Sequence, residues 1–366
     1  MMQFSAQVSC RESIVTTQPL PRAVGYTAGR LVAFFSLSMK DLAKKAILAS
    51  GALRLISPNA TAAILMYHSV MPDPAIHSDS LGGIVHSEAE FRAQMELLSR
   101  DYHPVRLDEA VANLNSQKDL PNRSVVVTFD DGYTDNAEVA IPILNQLGIP
   151  ATFYVTVDCI ERRKLPWPSR LRYAFRKSKL SAWTDSRRNS WALENSDSRE
   201  RAYLACCDDC CQLSGNIQED FVRTVEQQLE AAVPSDLSSL MMTYDQVRSL
   251  VRQGHIVGSH TMTHPNMAYI QEHEAKVELT ESKQHLEREL KAPIRHFSYP
   301  CPAMTPHWSE QTVAQSRSVG YDSAVTTNGG VTRCGDNPLS LKRIRPTKTA
   351  AGLRWNLECA FAGRAV

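Results

Sequence analysis

The chain has 366 residues and a formal net charge of +1, with 43% hydrophobic and 22% charged residues. These values are typical of a globular protein that is long enough to bury a full core in one large or two modest domains. The near-neutral charge gives no reason to expect a nucleic acid or an acidic membrane surface as a partner. Nine cysteines without the spacing of a disulfide framework favour a reducing compartment.

We interpret residues 1–61 as an N-terminal extension. Its apolar run, residues 31–37, is far shorter than the ~20 residues of a membrane span. No clear cleavage site follows that run, so we expect neither an integral span nor a cleaved signal peptide, and Met39 is an alternative start of translation. Residues 41–56 have the pattern of an amphipathic helix, which packs on a domain more often than on a membrane. We expect a cytoplasmic protein and leave membrane association open.

A run of β-branched and aromatic residues, 125–129, leads directly into Asp130, Asp131 and Gly132. A short apolar run flanked by turn signals is typical of a buried strand. The two carboxylates then stand at its C-terminal end, where catalytic side chains gather in α/β folds. Alone, Asp-Asp-Gly is also common in ordinary turns, so this stretch is not sufficient evidence of a site.

Two histidines, His260 and His264, follow another predicted strand at residues 255–258. We predict a helical turn there, because side chains four apart on such a turn project from one face and can share a metal. With one strand-end aspartate they make a two-histidine, one-carboxylate set. Such a set leaves open positions for water and substrate.

The stretches 128–133 and 259–264 together resemble the first two motifs of the polysaccharide deacetylases, carbohydrate esterase family 4. That family includes chitin, chitooligosaccharide and peptidoglycan deacetylases, and the resemblance covers residues 63–349. It implies an α/β fold in which parallel strands close into a distorted (β/α) barrel. It also implies hydrolysis of N-acetyl groups on the amino sugars of an oligo- or polysaccharide substrate.

The resemblance further implies zinc or another divalent ion held by Asp131, His260 and His264, with Asp130 as the general base. The third motif departs from the family pattern. Ser298 stands where many members have an arginine that holds the catalytic aspartate. We expect Arg343 or Arg345 to replace that arginine.

Cys301 stands where many members have a tyrosine whose backbone amide forms the oxyanion hole, and Cys301 can still offer its own amide. The late Leu-x-His motif, which supplies the general acid in the family, is absent. His68 follows the first predicted strand, residues 64–67, and is our candidate for the acid. The exopolysaccharide deacetylase branch, which this part of the chain resembles, carries its histidine there.

Strands alternate with helices through most of residues 62–350, which we predict as the catalytic domain with a parallel sheet. Residues 159–240 break this rhythm and are predicted to be a helical insertion, and 351–366 a C-terminal tail. The insertion has three tryptophans that can line a sugar groove, although solvated helix surface is favoured for most of it. Its cluster of cysteines, residues 206–211, is predicted to lie on one side of a buried helix rather than to bind a second metal.

Two alternative functions remain open. One is a deacylase of another small acyl amide on the same fold, and the other is a catalytically impaired carbohydrate-binding homologue. The retained Asp-Asp-Gly and paired histidines argue against the second, because a binding module needs no open metal site. The glycan, its chain length and the oligomeric state are not determined by the sequence.

Overall fold

The computed structural model describes residues 39–51, 53, 61–116, 118 and 120–364. The chain divides into two units, Met1–Ala49 and Ser50–Val366. The first unit contributes most of the helix Met39–Ser50, which covers the first part of the predicted amphipathic helix. The remainder of the predicted N-terminal extension lies almost entirely outside the described residues, and everything below concerns the second unit.

The strands are named in chain order. They are β1 (Thr61–Tyr67), β2 (Ser69–Met71), β3 (Val85–Ser87), β4 (His103–Pro104), β5 (Ser124–Phe129), β6 (Ala151–Val155), β7 (Ala182–Thr184), β8 (Ser190–Ala192), β9 (Ile256–Ser259), β10 (His296–Ser298), β11 (Ser323–Gly329), β12 (Thr332–Arg333) and β13 (Leu341–Arg343).

The α-helices of this unit are Ser78–Leu81, Glu88–Asp101, Leu107–Asn115, Ile141–Gln146, Val157–Glu161, Trp167–Lys177, Ser196–Cys210, Gly215–Gln228, Tyr244–Arg252, Glu272–Leu290, Glu310–Val319 and Ala350–Phe361. A π-helical turn, Asn136–Ala140, leads into Ile141–Gln146, and short 3-10 helices cover Gly82–Ile84, Ser235–Leu240 and Pro338–Ser340. Among the helices that the structure describes, none is both long and apolar enough to cross a membrane.

Nine strands form one sheet in the order β12-β1-β5-β6-β9-β10-β11-β13, with β4 beside β5. Neighbouring strands run parallel except β12, which is antiparallel to β1. Just beyond β13, the amide of Ile344 donates to the carbonyl of Ile64 at 2.7 Å, and Met66 donates back to Ile344 at 3.0 Å. The last strand therefore returns to the first, and the predicted distorted (β/α) barrel is confirmed.

The strands end in register at one edge of the barrel. The last residue of β1, Tyr67, lies opposite the last residue of β5, Phe129, and Val155 of β6 lies opposite Ser259 of β9. Because parallel strands carry their C-terminal ends to one edge, the polar residues that follow these strands stand side by side. This edge holds the candidate site.

The core lies between the sheet and its surrounding helices. Phe129 stacks on Phe153 with 4.8 Å between ring centroids, and both rings are fully buried. The helix Glu88–Asp101 is capped by Ser87, whose hydroxyl accepts from the amide of Glu90 while the Glu90 carboxylate accepts from the amide of Ser87. Burying each such aromatic or aliphatic side chain stabilises the fold by about 1.5–3 kcal/mol.

The segment predicted as an insertion is mostly helical but also contains the antiparallel hairpin β7–β8, which the sequence pattern did not indicate. Its four clustered cysteines, Cys206, Cys207, Cys210 and Cys211, are fully buried in an apolar cluster, as predicted for one side of a buried helix. Trp167 and Trp183 of this segment are buried, because their rings complete this cluster.

The predicted C-terminal tail contains the helix Ala350–Phe361. Its apolar side chains Leu353, Leu357 and Phe361 are buried in the main core. The buried Glu358 on the same helix pairs with Arg123, which precedes β5. The helix therefore covers the barrel wall close to the start of the central strand.

Candidate active site

Asp131, His260 and His264 come together at the C-terminal edge of the barrel. The Nε2 atoms of His260 and His264 lie 3.4 Å and 3.3 Å from Oδ1 of Asp131, and one ligand atom from each residue falls within 4.8 Å of the others. All three side chains are buried. Two imidazoles and one carboxylate around one point are a donor set that suits zinc or a similar divalent ion and leaves positions open.

The residues around Asp131 explain how a strand delivers it. Asp131 has φ of +75°, a left-handed conformation that costs free energy in a non-glycine residue and is found most often at functional sites. Gly132 follows with φ of +93°, and a Cβ there would stand 3.0 Å from Ile160 and 3.2 Å from Val155. Only glycine fits this close approach, so Gly132 fixes the sharp turn after the two aspartates.

The prediction of a helical turn for the two histidines is wrong. Residues 260–264 form an irregular loop in which Thr261 and His264 have φ of +69° and +63°. The amide of His264 donates to Oγ1 of Thr261 at 3.0 Å. This side-chain bond replaces a helical backbone bond, and the loop brings both rings to one point by a different path.

A buried carboxylate holds this loop in place. Glu278, on the helix Glu272–Leu290, accepts hydrogen bonds from the amides of Met262 at 2.7 Å and Thr263 at 3.0 Å, and from the Thr263 hydroxyl at 2.5 Å. Burial raises the pKa of Glu278 to about 7 despite these donors. Its helix shows a charged pattern in sequence, so nothing marked Glu278 as a residue that positions the site.

Further contacts prepare the triad for a cation. The Nδ1 atom of His260 lies 2.8 Å from the carbonyl of Ser298, so a proton on Nδ1 leaves Nε2 free as a ligand. Within the described chain, Oδ1 of Asp131 is buried without a hydrogen-bond partner. Burial alone would raise the pKa of Asp131, but a proton on the facing imidazoles holds it well below its ordinary value, as a cation in the same position would. An ionised, unsatisfied carboxylate oxygen between two ring nitrogens fits a bound metal.

Asp130 faces Arg343 rather than the triad's imidazoles. The guanidinium donates to both carboxylate oxygens of Asp130, at 2.8 Å and 2.7 Å, and its Nε donates to the carbonyl of Thr326 at 2.8 Å. A further bond reaches Oγ of Ser298 at 3.1 Å. Arg343 is 1% exposed. It therefore occupies the space beside Ser298, where the family resemblance placed an arginine of another strand.

This pairing decides the charge of Asp130. Burial alone would raise the pKa of that carboxyl, but the Arg343 guanidinium and then the nearby His260 outweigh it, and the pKa lies below its ordinary value. Asp130 is therefore a carboxylate at neutral pH. Of the two arginines proposed from the sequence, Arg343 makes the contact, whereas Arg345 is exposed at the cavity wall.

A cavity of about 310 Å³ opens over these residues, within the range of small-molecule sites. It is lined by Asp130, Asp131 and both histidines of the triad, and His68 and Cys301 also line it. Burial lowers the pKa of the His68 imidazole, although Asp131 and Asp130 partly offset this. His68 is therefore neutral at neutral pH when the cavity is empty.

The segment predicted as an insertion forms one wall of the cavity. Its helix Trp167–Lys177 begins at the cavity edge, where Pro166, Pro168 and Arg172 line the space. The indole Nε1 of Trp167 donates to the backbone carbonyl of His264 at 2.9 Å. This bond ties the wall directly to the histidine loop.

His255, at the start of the predicted strand 255–258, lies away from the cavity. It accepts from the amide of Ala151 and contacts Asn145, both near the opposite end of the sheet. Burial lowers its pKa to about 4. His255 therefore has a structural role in joining β6 to the neighbouring helix.

Comparison with known proteins identifies the family of this chain. The sequence model described as polysaccharide deacetylase matches residues 117–202 and 213–324, more than half of the chain. The chain belongs to the polysaccharide deacetylase family. The match includes both aspartates and both histidines of the site, and it ends before Arg343.

Individual relatives agree with this family. The putative polysaccharide deacetylase YxkH of Bacillus subtilis (strain 168) is 34% identical over 93 residues, which are 25% of this chain and 30% of that protein. The match thus spans less than a third of the relative's length.

Solved deacetylase structures share the fold. Streptococcus pyogenes deacetylase PplD in complex with acetate superposes with a TM-score of 0.55 at 18% identity, covering 82% of this chain and 99% of that one. IcaB from Ammonifex degensii gives a TM-score of 0.52 at 18% identity, with 82% and 97% covered.

Proposed function

We propose that this protein is a metal-dependent deacetylase that hydrolyses N-acetyl groups on amino sugars of an oligo- or polysaccharide. The observation that carries the proposal is the buried Asp130 carboxylate, held ionised by Arg343 beside the triad and exposed to the same cavity. A base next to a cation site in a cavity suits hydrolysis of a neutral amide. The proposed catalytic domain is residues 62–350, with 159–240 as its insertion.

The proposed metal ligands are Asp131, His260 and His264, and zinc is the proposed ion. When bound, such an ion lowers the pKa of a coordinated water towards neutrality and withdraws electrons from the acyl carbonyl. Asp130 lies on the same edge of the barrel as these ligands and accepts the proton of the attacking water. Its two bonds to Arg343 fix its orientation for that step.

Cys301 is the proposed source of the oxyanion donor. It follows β10 and lines the cavity, and a backbone amide pre-positioned near the carbonyl oxygen stabilises the charge that develops there. The side chain has no part in this role, so the departure from tyrosine at this position leaves the proposed donor intact.

His68 is the proposed general acid. It lines the cavity, and the carboxylates of Asp131 and Asp130 already favour its protonated form against the effect of burial. The negative charge of the tetrahedral intermediate would raise its pKa further, because a nearby opposite charge favours the imidazolium. His68 then gives a proton to the leaving amine.

We propose a cytoplasmic location. The described cysteines are free thiols, which supports a reducing compartment. Hydrolysis of another small acyl amide is the second candidate, because the same charges serve any such amide and only the shape of the cavity selects the acyl group.

Both candidates are tested by one assay on the full chain. We expect zinc-loaded protein to release acetate from N-acetylated oligosaccharides and to lose that activity after metal chelation. Matched N-formyl oligosaccharides and acetylated polyamines provide the comparison. Faster release from a substrate without a sugar would favour the second candidate, and binding of the oligosaccharides without release from any substrate would favour a carbohydrate-binding homologue.

A further inference from the structure

The charges of the cavity are unevenly distributed. Apart from Asp130 and Asp131 at the reaction centre, the charged side chains that line it are Arg172, Arg345 and Lys348, all of them basic. The chain as a whole is almost neutral, with a net charge of +1. The positive charge of this wall is therefore a local feature and does not reflect the composition of the protein.

Two of these three cations form no ion pair with an acidic side chain among the described residues, although Glu90 attracts Lys348 from a longer distance. Arg172 is already paired, since its guanidinium lies 3.3 Å from Glu200 and stacks over the ring of Tyr203 at 4.5 Å. Lys348 donates only to the backbone carbonyls of Gly83, at 3.0 Å, and Val85. Arg345 is exposed, and among the described residues none forms an ion pair or hydrogen bond with its side chain.

The backbone places these two cations beside the reaction centre. Arg345 follows Arg343 by two residues, just beyond the end of β13, and lines the same cavity as Asp130. The intervening Ile344 is fixed against β1. Lys348, three residues later, is held to the backbone of β3 and the turn before it. The anchoring keeps its charge at the cavity rim at little further cost in conformational entropy.

A buried histidine completes the wall. His86 is 5% exposed and lines the cavity, and the backbone of Thr347 acts on its ring as a hydrogen-bond acceptor. Burial and the nearby Lys348 charge lower its pKa to about 4, so the ring is neutral and can both donate and accept. The two cations at the rim, beside this buried ring, are an arrangement that suits an oxyanion.

We propose that Arg345 and Lys348, with His86 behind them, bind an acidic group, a carboxylate or a phosphate, on the same glycan as the acylated nitrogen. This inference rests on the proposed function and narrows its substrate to an anionic glycan. Deacetylation leaves an ammonium group on the sugar. If the glycan carries no acidic group, Arg345 and Lys348 would repel this product. An acid on the substrate offsets that charge and turns the wall into a binding surface.

The test compares oligosaccharides that differ only in charge. Hyaluronan tetrasaccharide, which carries carboxylates, is compared with its methyl ester, and chitotetraose bearing one phosphate monoester with plain chitotetraose. Acetate release is measured with the zinc-loaded full chain and with Arg345→Gln. Lys342→Gln is the matched control, since Lys342 is equally exposed on β13 but does not line the cavity.

We expect at least one acidic member of a pair to have a kcat/KM about tenfold or more above its neutral partner, through a lower KM. Arg345→Gln should remove that preference, whereas Lys342→Gln should retain it. The preference should also decline with added salt. The pair that responds identifies a carboxylate or a phosphate as the group bound.

Equal rates within both pairs, or an equal loss on all substrates in Arg345→Gln, would overturn the inference while the acetate released still supports the proposed function. If no substrate releases acetate, the proposed function fails. Titration calorimetry with the same pairs then decides the inference separately. Tighter binding of an acidic member that disappears in Arg345→Gln supports it, and equal binding within both pairs refutes it.

Discussion

Arg343 and Asp130 form a fully buried, two-pronged ion pair between the last strand of the barrel and its central strand. The guanidinium arises from β13 and occupies the space next to Ser298 of β10. The family pattern supplies an arginine from the position of Ser298. The chain thus keeps the charge beside the aspartate and obtains it from a different strand.

The first prediction concerns this pair. Arg343→Met leaves the Asp130 carboxylate buried without its partner, which should destabilise the fold by about 3–5 kcal/mol. The pKa of Asp130 should rise, so the acid limb of the pH–rate profile should move to higher pH. Urea unfolding and the profile of kcat/KM measure the two effects. An unmoved acid limb would contradict the assignment of Asp130 as the base.

A double substitution separates charge from general instability. Ser298→Arg combined with Arg343→Ser returns the arginine to the family's position. Because the two side chains are 3.1 Å apart, the new guanidinium has access to the same space. We expect the double variant to recover activity that Arg343→Ser alone has lost. No recovery in a folded double variant would mean that Arg343 acts by more than its charge.

The second prediction concerns the triad. His264→Ala should lower zinc affinity by more than the ~10–100-fold that is typical of losing a residue that only orients a ligand. Zinc per chain, measured by elemental analysis after dialysis, is the readout. His103→Ala is the control, since His103 is an exposed histidine on β4. Equal zinc retention in both variants would exclude His264 as a ligand.

The third prediction separates the two neighbouring aspartates. Asp130→Asn should lower kcat by about 10²–10⁴-fold, because the base is lost, while zinc content remains that of the parent. Asp131→Asn should lose zinc as well as rate. Circular dichroism checks the fold, since the first substitution leaves Arg343 buried without its partner. Loss of zinc in Asp130→Asn would show that the assignment of Asp130 as base and Asp131 as metal ligand is wrong.

The fourth prediction concerns His68. His68→Ala should lower kcat with little change in zinc content, because the ring lines the cavity but is not one of the three proposed metal ligands. The high-pH limb of the profile should shift or vanish, since an acid must be protonated to act. An unchanged limb in a variant of reduced rate would assign His68 a structural role and leave the acid to another group.

The fifth prediction concerns stability. Asp135 accepts from Ser69 at 2.5 Å and from Asn136 at 2.8 Å, yet burial raises its pKa to about 7. Between the ordinary value near 3.9 and about 7, the folded state binds a proton that the unfolded state lacks. Stability should therefore fall as pH rises through this window, with Asp135 contributing at most about 1.4 kcal/mol per unit and Glu278, whose pKa is also about 7, contributing a further part. Asp135→Asn should make the decline of stability with pH less steep in urea titrations. An unaltered decline would show that the raised pKa of Asp135 is not its cause.

Much of the fold followed from local patterns. The apolar run before Asp130 predicted β5, because burial of a strand depends on near neighbours, and the capping of a helix by Ser87 and Glu90 is equally local. The end of β6 at Val155 is not local, since the amide of Val157 bonds to the carbonyl of Thr261 instead of continuing the ladder. That bond depends on a loop about a hundred residues away.

In the candidate site, too, some residues have a local sequence signal and others depend on distant contacts. Asp131 and the two histidines are recognisable because each adjoins a strand, and strand ends meet in a barrel. The conformation of the histidine loop depends on Glu278, which belongs to a helix with an ordinary charged pattern. The choice between Arg343 and Arg345 depends on how β13 docks. Contacts between distant segments leave no local signal in the sequence.

Because β13 closes the barrel and carries Arg343, the base acquires its arginine partner only when this late strand docks. The aspartate and its arginine are 213 positions apart, and the three proposed ligands all precede the arginine. A nascent chain can therefore assemble its cation site while the base still lacks the charge that keeps it ionised. A chain shortened to end before β13 would lack Arg343 but keep the three proposed ligands. We expect such a chain, if it folds, to bind zinc without activity, so zinc content alone is an unsafe measure of intact enzyme.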